Sequence, residues 1–122
     1  MTENNPGDWY SLKNIKRSSS NEILADAIAS IKSPWFSGHF PGEPILPGIA
    51  QLGMVFDTIN HACEKKLKIS GVKRIKFKKV IKPGNKIQII AREKNDDNSL
   101  YTFRVMVDSQ IACNGIMTVE RQ

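Results

Sequence analysis

The sequence predicts an α+β domain, with an antiparallel sheet wrapped around one long central helix. Three observations carry this. Apolar residues between positions 49 and 63 recur at spacings of 3, 4, 3 and 4, which is the period of a helix. From residue 72 onward the chain divides into alternating segments separated by turn residues, the pattern of successive hairpins. A chain of 122 residues holds one core of modest size, and a helix packed on a sheet supplies one.

Residues 1–8 are polar. Residues 9–15 predict a short helix capped near Asp8, with Trp9, Leu12 and Ile15 on one face. Residues 17–21, RSSSN, read as a turn, so positions 1–21 are set apart as an N-terminal segment and 22–122 as the single domain. Between 22 and 31, Ile23, Ala25, Ala27, Ala29 and Ile31 alternate as in a strand, although so alanine-rich a stretch also suits a helix. Residues 35–47, WFSGHFPGEPILP, hold three prolines, two glycines and three aromatic residues, so the stretch is a rigid loop that positions something.

The helix follows, with Ile49, Leu52, Phe56, Ile59 and Cys63 as its stripe and Val55 and Ala62 widening it. It runs into basic residues at 65–68, which suit the negative end of a helix dipole. A strand over 72–80 carries Val72, Ile75 and Phe77 with one irregular step. The turn Lys82-Pro83-Gly84-Asn85 leads to a strand over 86–93, residues 95–99 turn again, and strands over 100–107 and 111–120 flank an Asp108-Ser109 turn.

Composition excludes several classes. The longest apolar stretch, 45–56, is interrupted by Pro47, Gly48, Gln51 and Gly53, whereas a membrane-spanning helix needs about 20 apolar residues. The acids and amides of MTENNPGDWY do not resemble a secretory leader, and the reading is cytoplasmic. Cys63 and Cys113 stand 50 positions apart with two histidines in the whole chain, so they are read as reduced thiols and no metal site is expected. No glycine pattern of a phosphate loop is present, and no cofactor is expected.

The net charge of +6 is concentrated. Lys65, Lys66, Lys68, Lys73, Arg74, Lys76, Lys78, Lys79, Lys82 and Lys86 have no acid among them. Such a run is either a solvated face or a dock for an anionic partner. Only Phe77 interrupts the lysines, so the stacking platforms of single-strand binders are missing. An acidic protein is the partner expected, not nucleic acid, with Lys73, Arg74, Lys76, Lys78 and Lys79 as the dock.

At residues 38–52 the stretch GHFPGEPILPGIAQL resembles the signature of the 3-hydroxyacyl-acyl-carrier-protein dehydratases, Gly-His-Phe-Pro-Gly-x-Pro-x-x-Pro-Gly opening a central helix. KRIKFKKVIKPGNKIQI, at 73–89, is similar to that family's basic strand, Pro-Gly turn and next strand, and the closing hairpin over 101–119 fits in length. The resemblance implies a hot-dog fold paired into a homodimer, with the acyl site at the subunit interface. It implies a histidine from one subunit and a carboxylate from the other subunit's helix sharing the chemistry. By position, His39 is the base and the Gly48 N–H polarises the thioester carbonyl. Phe40, Pro41, Gly42, Pro47 and Gly53 border the substrate, which is a thioester of acyl carrier protein or of coenzyme A.

The chemistry calls for these residue types. Eliminating water from a 3-hydroxyacyl thioester removes a proton from C2, whose acidity depends on stabilising the adjacent enolate. A glycine N–H at a helix N-terminus aims a donor and a positive dipole end at that oxygen, and a histidine titrates in the right range to take the proton. A second group must then protonate the departing hydroxyl. The family places a Glu or Asp there, five residues after the Pro-Gly glycine, and this chain has Gly53. Asp57, one turn on, is the remaining carboxylate on that face. His61, a further turn along, is read as structural. A dehydratase using Asp57 or a water as acid is therefore expected, with a non-catalytic acyl-thioester binding protein and a hot-dog thioesterase as alternatives.

Overall fold

A computed structural model describes residues 10–19, 21–29, 46, 48–63, 66–94 and 97–122, the side chains of 19, 97 and 98 apart. Its elements are β1 (Tyr10–Ser19), β2 (Glu22–Ala29), α1 (Gly48–Ala62), β3 (Leu67–Phe77), β4 (Lys86–Lys94), β5 (Asp97–Val107) and β6 (Gln110–Arg121). The six strands form one sheet in the order β1-β2-β4-β5-β6-β3, and every neighbouring pair is antiparallel. The helix packs across one face of it, against β1 to β5.

Strand alternation places the core. Ile23, Ala25, Ala27 and Ala29 of β2, Ile87, Ile89 and Ala91 of β4, and Tyr101, Phe103, Val105 and Val107 of β5 are all buried beneath the helix. The alanines of β2 have a purpose here, because small side chains let the helix approach the sheet closely. Strand, the first of the two readings for 22–31, holds for Glu22–Ala29.

The helix occupies the predicted stretch but is turned about its axis. Its buried face is Ala50, Gln51, Met54, Val55, Thr58 and Ile59. Ile49, expected in the core, is 69% exposed, while Leu52 and Phe56 are half-buried at the margin of the core. Apolar residues thus lie on two flanks of α1, and the sheet covers one of them.

Corrections fall at the edges of the sheet. Residues predicted as a helix over 9–15 contribute β1, which pairs with β2 from Tyr10↔Ala29 to Ser19↔Glu22 and so adds part of the stretch 1–21 to the sheet. The expected turn over 17–21 contracts accordingly, since β1 runs to Ser19. β3 begins at Leu67 instead of 72, and β5 begins at Asp97, inside the turn expected over 95–99. Two turns stand as predicted. Asn85 N–H donates to Lys82 O at 3.1 Å around Gly84, at φ 83°. Asp108 and Ser109 both have positive φ, 54° and 64°, the conformation that matches the twist of a tight hairpin.

Candidate active site

Gly48 is the first residue of α1, so its N–H is among those with no partner inside the helix. The ring of Phe77, at the end of β3, lies over it. A Cβ at position 48 would come within 2.8 Å of ring carbon Cε1, closer than real Cβ contacts, so any larger residue would displace the Phe77 ring from this position. Upstream, Leu46 N–H donates to Ile81 O at 2.7 Å, and Gln51 Nε2 donates to Leu46 O at 3.3 Å. The approach to the helix is therefore fastened both to the β3–β4 connection and to the helix itself.

The helix N-terminus opens on apolar residues that the fold leaves uncovered. Ile49 is 69% exposed, Phe77 54% and Val80 50%. Lys76 and Lys78 are exposed beside them in sequence, and the N–H groups of Lys78 and Lys79 both reach Ala112 O, at 2.8 and 3.3 Å. Lys73, Arg74 and Lys76 lie on β3 itself, the outer strand of the sheet. Lys76, Lys78 and Lys79 thus flank Phe77 in sequence, next to the N-terminus of α1, whereas Lys73 and Arg74 lie further back along β3.

His39, Phe40, Pro41, Gly42 and Pro47 lie outside the described residues. Of the remaining candidates, Gly53 lies in the second turn of α1, and no described residue outside its own helix backbone stands within 4 Å of where its Cβ would be. The first atom of a side chain there would meet no described neighbour. Asp57, about 6 Å further along the axis, is engaged: the Tyr10 hydroxyl donates to its Oδ2. Tyr10 is 8% exposed, and burial, followed by the bond to Asp57 and the charge there, holds its hydroxyl well above the usual phenol range. The displaced carboxylate is therefore already committed to β1. Reading residues 9–15 as a helix concealed this partner.

Gln51, a polar interruption of the apolar stretch, is buried at 3% exposure. Its Oε1 has no hydrogen-bond partner, a rare condition for a buried acceptor. At the far end of the helix, His61 is exposed. Cys63 Sγ lies 3.6 Å from the hydroxyl of buried Tyr101, and Cys113 is fully buried. Both thiols are free, and no cluster suited to a metal occurs among the described residues.

Comparison with known proteins gives a consistent answer. Residues 15–116 match the profile of the ApeI-like family, described as ApeI dehydratase. The chain is 30% identical to the 3-hydroxyacyl-[acyl-carrier-protein] dehydratase FabZ of Streptococcus equi subsp. zooepidemicus, over 85% of this chain and 81% of that one. It is 32% identical to the FabZ of Nitratidesulfovibrio vulgaris, over 79% and 70%. Among solved structures, a chain of the dehydratase heterocomplex ApeI:P from Xenorhabdus doucetiae superposes with a TM-score of 0.79 at 26% identity, covering 91% of this chain and 97% of that one. A hypothetical thioesterase from Streptococcus pneumoniae, at TM-score 0.64 and 12% identity, shares the fold alone.

Proposed function

The chain belongs to the ApeI-like dehydratase family, and from that premise we propose that it eliminates water from 3-hydroxyacyl thioesters. The observation that carries the reading is the position of Gly48. It opens the helix that packs on the sheet among the described residues, directly after the GHFPGEPILP segment, with the ring of Phe77 lying where a side chain at 48 would begin. In the reaction proposed, the thioester carbonyl lies at this N–H, where the helix dipole favours the enolate oxygen. His39 takes the C2 proton, and Phe40, Pro41, Gly42, Pro47 and Gly53 border the substrate. The exposed collar of Ile49, Phe77 and Val80 suits the acyl thioester arm. The neighbouring lysines suit an acidic carrier protein in a cytoplasmic setting. No described helix is long and apolar enough to cross a membrane.

The acid comes from a second chain in this proposal. β3 is an outer strand with Ile69, Val72 and Phe77 all more than 40% exposed, an edge that calls for a partner. In a homodimer the carboxylate offered would be Asp57 of the other copy, released from Tyr10. In a heteromer it would be a Glu or Asp standing where this chain has Gly53. The open space at Gly53 and the occupied state of Asp57 favour the heteromer, and the relative from Xenorhabdus doucetiae is itself a chain of a heterocomplex.

Incubation of the purified chain with 3-hydroxyacyl and trans-2-enoyl thioesters, followed by mass spectrometry, tests the reading. Loss or gain of one water by the chain alone supports the homodimer with Asp57. Binding of the thioester without turnover supports a heteromeric partner that brings the acid. Release of free acid identifies a thioesterase and overturns the dehydratase reading.

A further inference from the structure

On the face of the sheet away from the helix, three guanidinium groups border one depression of about 400 Å³: Arg74 of β3, Arg92 of β4 and Arg104 of β5. Register explains their convergence. Arg92 stands opposite Thr102, and Arg104 stands opposite Ile90 on one side and Asn114 on the other. Arg92 and Arg104 are therefore diagonal neighbours on adjacent strands, a spacing at which like charges oppose each other.

Arg74 reaches the same depression through a distortion of the edge strand. The register of β3 with β6 shifts between Lys73 and Lys76, and within that bulge Arg74 has φ 57°. A left-handed conformation costs a non-glycine residue on the order of 1 kcal/mol or more, and a bulge re-aims the side chains at its site. Opposite the bulge lies Gly115. A Cβ there would meet the side chain of Ile75 and stand 3.2 Å from Ile75 Cα. The missing side chain at 115 lets Ile75 press onto β6 while its neighbour Arg74 is directed over the depression.

The charge in the depression is unbalanced. Glu22 is the one carboxylate in the lining, and its Oε1 accepts from the Ser18 hydroxyl at 2.6 Å. Among the described residues no hydrogen bond or ion pair engages the three guanidinium groups. Arginine does not deprotonate at any physiological pH, so three positive charges face one negative charge. Ile90 and Ile116 lie between them with Thr102 and Asn114 as hydroxyl and amide donors.

We infer that this depression is an anion site for a phosphorylated small molecule, distinct from the acyl site across the sheet. The net excess of two positive charges matches a phosphate monoester dianion or a diphosphate. Planar guanidinium groups bind phosphate oxygens in pairs. The volume is that of a small-molecule site, and the two isoleucines offer apolar surface to the organic part of the ligand. The inference does not depend on the dehydratase reading.

The test is calorimetric titration of the intact protein with inorganic pyrophosphate, ADP and adenosine. Arg92→Gln/Arg104→Gln is compared with Lys16→Gln/Lys82→Gln, which removes the same charge elsewhere; all four side chains are exposed. Pyrophosphate or ADP binding that weakens about tenfold or more in the arginine variant and less than about twofold in the lysine variant supports the site. Tighter binding of ADP than of pyrophosphate identifies a nucleotide ligand, and equal binding identifies the phosphate group as the whole determinant. No binding up to about 5 mM, or equal weakening in both variants, overturns the proposal. So does an acidic protein that perturbs the Arg92 and Arg104 amide resonances when neither phosphate probe does.

Discussion

Placing Glu at position 53 separates the readings of the site most sharply. Gly53 lies inside α1, and no described residue outside its own helix backbone stands within 4 Å of a Cβ built there. The Cβ of the new side chain therefore meets no steric cost among the described residues. Removing a helical glycine contributes about 0.5–1 kcal/mol, and repulsion from Asp57 one turn on subtracts about 0.2–0.5 kcal/mol. The expected net change is between zero and about +0.8 kcal/mol, or up to about 4 °C in melting temperature for a domain of this size. Thermal denaturation reads this term, and dehydration of a 3-hydroxyacyl thioester reads the chemical one. A carboxylate restored beside the base should raise turnover by on the order of 10²-fold. A loss exceeding about 1 kcal/mol would show that the space beside Gly53 is filled in the assembled protein. Unchanged turnover with unchanged stability would show that position 53 does not face the reacting thioester, and the account of the missing acid would fail.

His39→Ala should lower turnover by about 10²–10⁴-fold with no change in melting temperature; full activity would remove His39 from the base role. Tyr10→Phe strips Asp57 of its donor and should cost about 1–3 kcal/mol by denaturant titration, much less when Asp57→Asn is already present; additive losses would mean the pair is not coupled. Gly115→Ala should destabilise by about 1–3 kcal/mol because Ile75 Cα and the Phe103 ring both stand 3.2 Å from the added carbon, and a neutral result would contradict the tight packing of the bulge. Burial pushes the Cys113 thiol up from 9.0 to about 11, so the unfolded chain ionises first. Stability should be full below pH 9.0 and fall toward pH 11 by on the order of 2–3 kcal/mol. Denaturant midpoints should fall in that window and fall less in Cys113→Ala; a midpoint that rises there would refute the assignment.

Periodicity revealed the fold wherever it was regular. Alternation in β2 and β4 and the two positive-φ residues at Asp108-Ser109 follow one simple pattern each, and the sequence carries it openly. The failures trace to bulges. In β1, Leu12 and Ile15 are three residues apart because Asn14 takes φ 58° and the register shifts between Lys13 and Lys16. An inserted residue turns a period of two into a step of three, which imitates a helix. The same device at Arg74 produced the irregular step from Val72 to Ile75. The helix was located by its stripe but oriented wrongly, because Ile49, Leu52 and Phe56 form a second apolar flank, of which Ile49 is exposed and Leu52 and Phe56 sit half-buried at the margin of the core. Gly48 was legible through its motif, whereas the tie between Asp57 and Tyr10 depends on a pairing of distant segments that spacing alone does not encode.

The position of β3 in the sheet also orders events in time. It precedes β4, β5 and β6 in the chain, yet its one neighbour within the sheet is β6, with Leu67 opposite Arg121 and Phe77 opposite Cys113. During synthesis β3 has no strand to lie against until β6 has left the ribosome, and long-range pairing of this kind forms late. The apolar collar around Gly48 and the outer edge of β3 are thus completed by the last strand of the sheet. A partner that recognises that edge as it stands in the folded sheet therefore depends on β6 being in place.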